Sequence, residues 1–137
     1  MAELSDCIVT LGFWDDDLEP ELFTELLECQ PTVGIKKGEP WVTSHGRRKI
    51  APTGSWRVEV DKEVSGNLET KIATVLSLVT QDLSRWKQLP ESERAQLFCG
   101  LFMDDVNEGV GLSHSILQQI SDRGLALELD LYGGSEG

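Results

Sequence analysis

The first thirty residues contain no Lys or Arg, although they carry nine carboxylates. The whole chain has two His, three Cys and a single Tyr among 137 residues. Each shortage excludes something. Cys7, Cys29 and Cys99 are odd in number and lack metal-type or redox-type spacing, so they read as reduced thiols of a cytoplasmic protein. No apolar run is long enough for a transmembrane helix. No basic residue precedes the first apolar segment, so the start does not read as a secretory signal. Lys and Arg number 12 against 24 Asp and Glu, a formal net charge of −12. Nucleic acid and anionic membranes are repelled by such a surface, and neither is expected as a partner.

Cofactor signatures are missing as well. "GIKKGEP" has neither P-loop nor dinucleotide spacing. Neither Asp15–Asp17 nor Asp104, Asp105 and Glu108 combines the glycine and the terminal glutamate of a calcium loop. Acids that follow strands and precede helices cap and solvate them. No spacing brings His45 or His114 to a particular cysteine, so no nucleophilic pair is assigned. No catalytic residue, metal or cofactor is assigned, and a non-enzyme is favoured over an enzyme.

What is present is a clear alternation of strands and helices. "DCIVTLGFW", residues 6–14, is rich in β-branched and aromatic types and reads as a strand. "DDDLEPELFTELLEC" reads as a helix, with Asp17 or Glu19 as cap, Pro20 in the first turn and Leu22, Phe23, Leu26 and Leu27 as its stripe. Residues 31–54 have no sustained period and are punctuated by Gly and Pro. Short strands at Trp41–Thr43 and Lys49–Ala51 make a hairpin there. "SWRVEVD" alternates, with Trp56, Val58 and Val60 on one face. Residues 66–90 carry apolar spacing for one long helix, capped by Asn67 and stopped by Pro90. "AQLFCGLFMDD" is a strand that is apolar on both faces. "LSHSILQQISDRG" is a helix from a Ser113 cap to Gly124 at C′. "LALELDLY" alternates, with Leu125, Leu127, Leu129 and Leu131 inward.

This order predicts an α+β fold: a ferredoxin-like split β-α-β antiparallel sheet with an extra long helix and a basic hairpin insertion. The strands at 6–14 and 95–105 become central antiparallel neighbours. Those at 55–61 and 125–132 lie at the edges. Residues 1–132 form one domain and 133–137 a flexible Gly-rich tail. The acidic exits of the two central strands then fall at opposite ends of the sheet, which argues against a shared metal site.

Charge is unevenly distributed. Residues 36–57 hold six of the twelve basic residues and one acid, Glu39. Lys36, Lys37, Trp41, His45, Arg47, Arg48, Lys49 and Trp56 are the candidate binding residues, with Arg57 closing the run. Arg grips carboxylates and phosphates bidentately and stacks on Trp. One reading is a site for an anion or an acidic partner. The other is an internal counter-charge to the acidic first third of the chain.

Several motifs carry a family resemblance. They are "DDDLEPELFTELL", "QPTVGIKKGEP", "GRRK" ahead of "TGSW", "LFCGLF" and "GLSHSILQQISDRGLALELDLY". Pro31-Thr32, Lys37-Gly38-Glu39 and Trp56 are the most specific parts. In order and spacing the chain resembles the bacterial domain of unknown function 4279 family over nearly its whole length. The long acidic N-terminal third departs from that pattern. The resemblance implies a small bacterial cytoplasmic protein, with no catalytic residue to carry over. It also implies that a basic segment before the Trp strand recurs among such proteins.

Two functions from different classes follow. The first is a non-enzymatic acidic protein-binding module, an immunity-type inhibitor or accessory factor that engages a basic protein. The second is a small anionic-ligand-binding protein or enzyme using the basic loop 36–57. A homodimer through the second sheet face is a further partner reading.

Overall fold

The computed structural model describes residues 2–3, 6–43, 45–61, 63–105 and 107–133. In chain order the strands are β1 (Ala2–Glu3), β2 (Cys7–Asp15), β3 (Val33–Ile35), β4 (Pro40–Val42), β5 (Arg48–Ile50), β6 (Gly54–Val60), β7 (Arg94–Phe102), β8 (Glu108–Gly109) and β9 (Ala126–Tyr132). The helices are α1 (Pro20–Leu27), α2 (Leu68–Ser77), α3 (Leu83–Lys87) and α4 (His114–Asp122). The tail expected at 133–137 lies, Gly133 apart, outside the described residues.

Local chemistry sets several of these bounds. Pro20 opens α1, where its missing N–H costs nothing. The N-cap there is Glu19, whose side chain makes no capping bond. Asn67 Oδ1 accepts from Thr70 N–H at 2.9 Å and starts α2. Ser113 Oγ accepts from Ile116 N–H at 3.3 Å and starts α4. Gly124, with φ at 68°, follows α4 in the left-handed conformation that favours glycine.

The long helix expected over 66–90 is broken in two. Its apolar spacing runs straight through the break, so periodicity cannot see it. Polar side chains make the break. Gln81 Nε2 donates to the carbonyls of Leu76 and Val79 at 2.8 and 2.9 Å. Asp82 Oδ1 takes Ser84 N–H at 2.9 Å and begins α3. Thr80 N–H turns to the carbonyl of Leu27 at 2.8 Å, which fastens the break to α1.

The main sheet is mixed, with strand order β3-β6-β2-β7-β9. The central pair is antiparallel, as the sequence suggests: Cys7 lies opposite Leu101 and Trp14 opposite Arg94. The ferredoxin-like order is not the one observed. In it, the last strand would lie beside β2. Here β2 is already paired along both sides, with β6 from Val9 to Asp15 and with β7 from Cys7 to Trp14. The edge left open is that of β7, and β9 takes it in parallel. Helix α4 supplies the crossover that such a parallel pair needs. β6 is not an edge either, because β3 covers it. The basic hairpin is present as antiparallel β4 and β5.

Cys7, Val9, Leu11 and Phe13 of β2, Trp56, Val58 and Val60 of β6 and Leu97, Cys99 and Leu101 of β7 share one buried face. Phe13 anchors it, with Phe23 of α1 at 5.0 Å and Trp86 of α3 at 6.1 Å between ring centroids. Leu68, Ile72, Val75 and Leu76 of α2 and Ile116 and Ile120 of α4 complete the cluster. Lys71 is buried within α2 and donates to the carbonyls of Cys7 and Asp61 at 2.6 and 3.2 Å. The helices thus line one side of the sheet. They do not reach the end of β9: Leu129 and Leu131, expected inward, are exposed. β7 is likewise not apolar-buried on both faces, since Phe98 is exposed on the helix-free side.

Candidate functional site

The antiparallel register brings the end of β2 and the start of β7 to the same end of the sheet. Asp15 ties them together. Its Oδ1 accepts from Asp17 N–H and its Oδ2 from Glu93 N–H, both at 3.0 Å. Gly54 allows β6 to begin against this turn. A Cβ there would lie 2.8 Å from the Asp15 carbonyl oxygen and 3.1 Å from Leu18 Cβ.

Between this turn, α1 and the segment before β7 lies a cleft of about 470 Å³. Its wall carries five carboxylates: Asp15, Asp17, Glu19, Glu91 and Glu93. Leu18, Leu22 and Phe23 give it an apolar side, and no Lys, Arg or His is among the described residues that line it, although Lys36 pairs with Glu19 at its edge. Asp17, Glu91 and Glu93 have no ion-pair partner among the described residues. Ser92 Oγ is buried beside them and makes no hydrogen bond to a described residue. Such a cleft can take a cationic side chain, head on the carboxylates and aliphatic stem on the leucines.

The sequence-predicted basic residues do not converge on one point. Lys36 Nζ pairs with Glu19 Oε2 at 2.8 Å, and Lys37 Nζ with Asp16 Oδ2 at 3.0 Å. Glu19 raises the Lys36 pKa through that hydrogen bond and its charge. The bonds from Lys37 and Thr53 lower that of Asp16. These two lysines therefore face the chain's own acids. His45 and Arg47 stand at the hairpin turn, where Arg47 N–H donates to Thr43 Oγ1 at 3.1 Å. Arg48 and Lys49 are exposed on β5. None of these four forms an ion pair among the described residues.

The two tryptophans part company. Trp41 stands at the surface and shares a small cleft with Trp14 and Arg57. Trp56 is completely buried, so its ring is no part of a binding surface. The alternation that puts Trp56 on the Val58 and Val60 face already points it to the core. Arg57, its neighbour, points the other way and lines three adjoining clefts on the helix-free face. Burial lowers its pKa, with the nearby charge of Glu59 partly opposing.

Sequence reasoning missed the acids before β7. Glu91 and Glu93 fall between the Pro90 stop and the strand from Ala95, and only the β2–β7 register sets them beside Asp17. It also missed Trp14, Arg94, Gln96 and Phe98, which line a cleft with Arg57 and Thr10. Their signal was period-two spacing: residues 94, 96 and 98 share one face of β7, and Gly12 and Trp14 one face of β2.

A family profile described as a domain of unknown function, DUF4279, matches residues 5–134. The chain belongs to the DUF4279 family. The match takes in the acidic cleft, the basic hairpin and every element except β1. No curated protein and no solved structure matches the chain. Within this DUF4279 member, no helix among the described residues is long and apolar enough to cross a membrane. The acidic groups after β2 and after β7 lie at opposite ends of the sheet, as the register requires.

Proposed function

We propose that this family member is a non-enzymatic acidic protein-binding module of the immunity or accessory type. The observation that carries the reading is the cleft between α1 and the start of β7. Asp17, Glu91 and Glu93, without ion-pair partners among the described residues, border an apolar wall there, in a chain of net charge −12. A basic protein is attracted over distance by the overall charge and held locally by carboxylate–guanidinium or carboxylate–ammonium bonds. The leucines take the stem of the inserted side chain. Three cysteines outside any disulfide support a reducing, cytoplasmic setting for this encounter.

The test is capture from a lysate of the native host at low and moderate salt. A triple variant, Asp17→Asn/Glu91→Gln/Glu93→Gln, runs beside the unaltered chain. The expected result is a basic protein held at low salt, depleted at moderate salt and lost from the variant. Equal capture by both chains, or no salt-sensitive partner, contradicts the reading. Sizing chromatography of the free protein separates the homodimer reading, which requires a dimer without any partner.

A further inference from the structure

The helix-free face of the sheet carries a second concavity of opposite sign. In one row across the sheet, Arg57 of β6 and Gln96 of β7 flank Gly12 of β2. Gly12 has no side chain, and the indole of Trp14 lies over it. A Cβ on Gly12 would come within 2.3 Å of Trp14 Cη2. The Arg94 guanidinium stands 5.7 Å from the centre of that indole. Thr10 and Phe98 form the next row and close the other end. These residues, Gly12 apart, line a cleft of about 360 Å³, within the range of small-molecule sites.

One buried polar atom here, Arg57 Nε, has no hydrogen-bond partner among the described residues. Gln96, a residue only 7% exposed, lines the cleft beside it. No carboxylate among the described residues forms an ion pair with Arg57 or Arg94. Buried polar groups are normally paired, so donors left open in a cleft mark what a ligand supplies.

We infer that this cleft binds a small planar carboxylate. Its ring lies along the Trp14 indole and against Phe98. Its carboxylate takes the Arg57 and Arg94 guanidiniums, and the Gln96 carboxamide meets a polar edge of the ring. Glu59 and Glu128 lie in the row of Thr10 and Phe98, at its two ends. Their charges disfavour a doubly charged phosphate and leave room for a single negative charge. This site is separate from the acidic cleft and does not depend on it.

The test is an NMR titration of the full chain with 2-naphthoate, its neutral amide 2-naphthamide, and inorganic phosphate. Saturable shifts of the Arg57 Nε–H and Trp14 indole N–H signals are expected with naphthoate. The amide should bind about tenfold more weakly or worse, the cost of losing a charged hydrogen bond. Gln96→Glu, which adds a negative charge inside the cleft, should abolish binding. Arg94→Ala, a change at an exposed side chain, should weaken it severalfold with the amide spectrum unaltered. This second variant decides the matter if Gln96→Glu disturbs folding. Equal affinity for naphthoate and naphthamide, preference for phosphate, or shifts confined to Arg47 and Arg48 would overturn the inference.

Discussion

Trp56 Nε1 donates a hydrogen bond to Thr24 Oγ1 across 3.0 Å. The same Thr24 hydroxyl donates onward to the Pro20 carbonyl at 3.2 Å. A strand and the first turn of a helix are joined through one buried indole. The bond holds α1 against β6, and α1 forms one wall of the acidic cleft. The most specific aromatic position in the chain therefore acts on the site through structure and not through contact.

Replacing Trp56 by Phe removes the donor and leaves part of the indole volume empty. We expect a loss of about 2–3 kcal/mol, from one buried hydrogen bond and a small cavity. Urea unfolding should show a lower midpoint with an unchanged slope. An unchanged midpoint would mean that the Trp56–Thr24 bond contributes nothing net.

The three thiols should differ in reactivity and should set an alkaline limit to stability. Burial pushes the Cys99 thiol up from 9.0 to about 12, with Cys7 adding to the shift. Burial also raises Cys7, where the charge of Lys71 partly opposes it. Cys29 is raised by burial too, yet it is only partly covered. All three are acids whose protonated form is favoured in the fold. Their contribution is therefore complete below about pH 9 and is lost as pH climbs above it, for Cys99 toward about 12. At pH 8 a thiol reagent should label Cys29 slowly and leave Cys7 and Cys99 until the chain unfolds. Prompt labelling of Cys99 in the native protein would contradict the burial assigned to it.

How much of this was legible in the sequence depends on the range of the forces involved. Caps are local, so Asn67, Ser113 and Gly124 could be read directly. Alternation is local as well, and it placed Trp56, Val58 and Val60 on one face, while Gly and Pro punctuation marked the hairpin. The break at Thr80–Asp82 was hidden because Val79, Leu83 and Trp86 keep helical spacing across it. Strand order was hidden because it depends on which edges remain free. Once β6 and β7 occupy both sides of β2, β9 has only β7 to join. The two clefts were hidden for the same reason, since pairing sets Glu93 beside Asp15 and Arg57 across Gly12 from Gln96.

The two surface lysine pairs supply a test of electrostatics without loss of fold. Lys36 and Lys37 are exposed, and exposed ion pairs contribute little to stability. A Lys36→Gln/Lys37→Gln variant should unfold at the same midpoint. It should associate faster with a basic partner at low salt, because two positive charges beside the cleft are gone. The difference should close as salt rises and screens the surface. A slower association at low salt would place the contact on the hairpin instead.

The most direct test of the binding role is a hydrogen-exchange footprint of the complex with the captured partner. The cleft reading predicts new protection over residues 17–23 and 90–93, removed by Asp17→Asn/Glu91→Gln/Glu93→Gln. Protection confined to the hairpin at 40–50 or to the helix-free sheet face, with 17–23 and 90–93 exchanging as in the free protein, would contradict it.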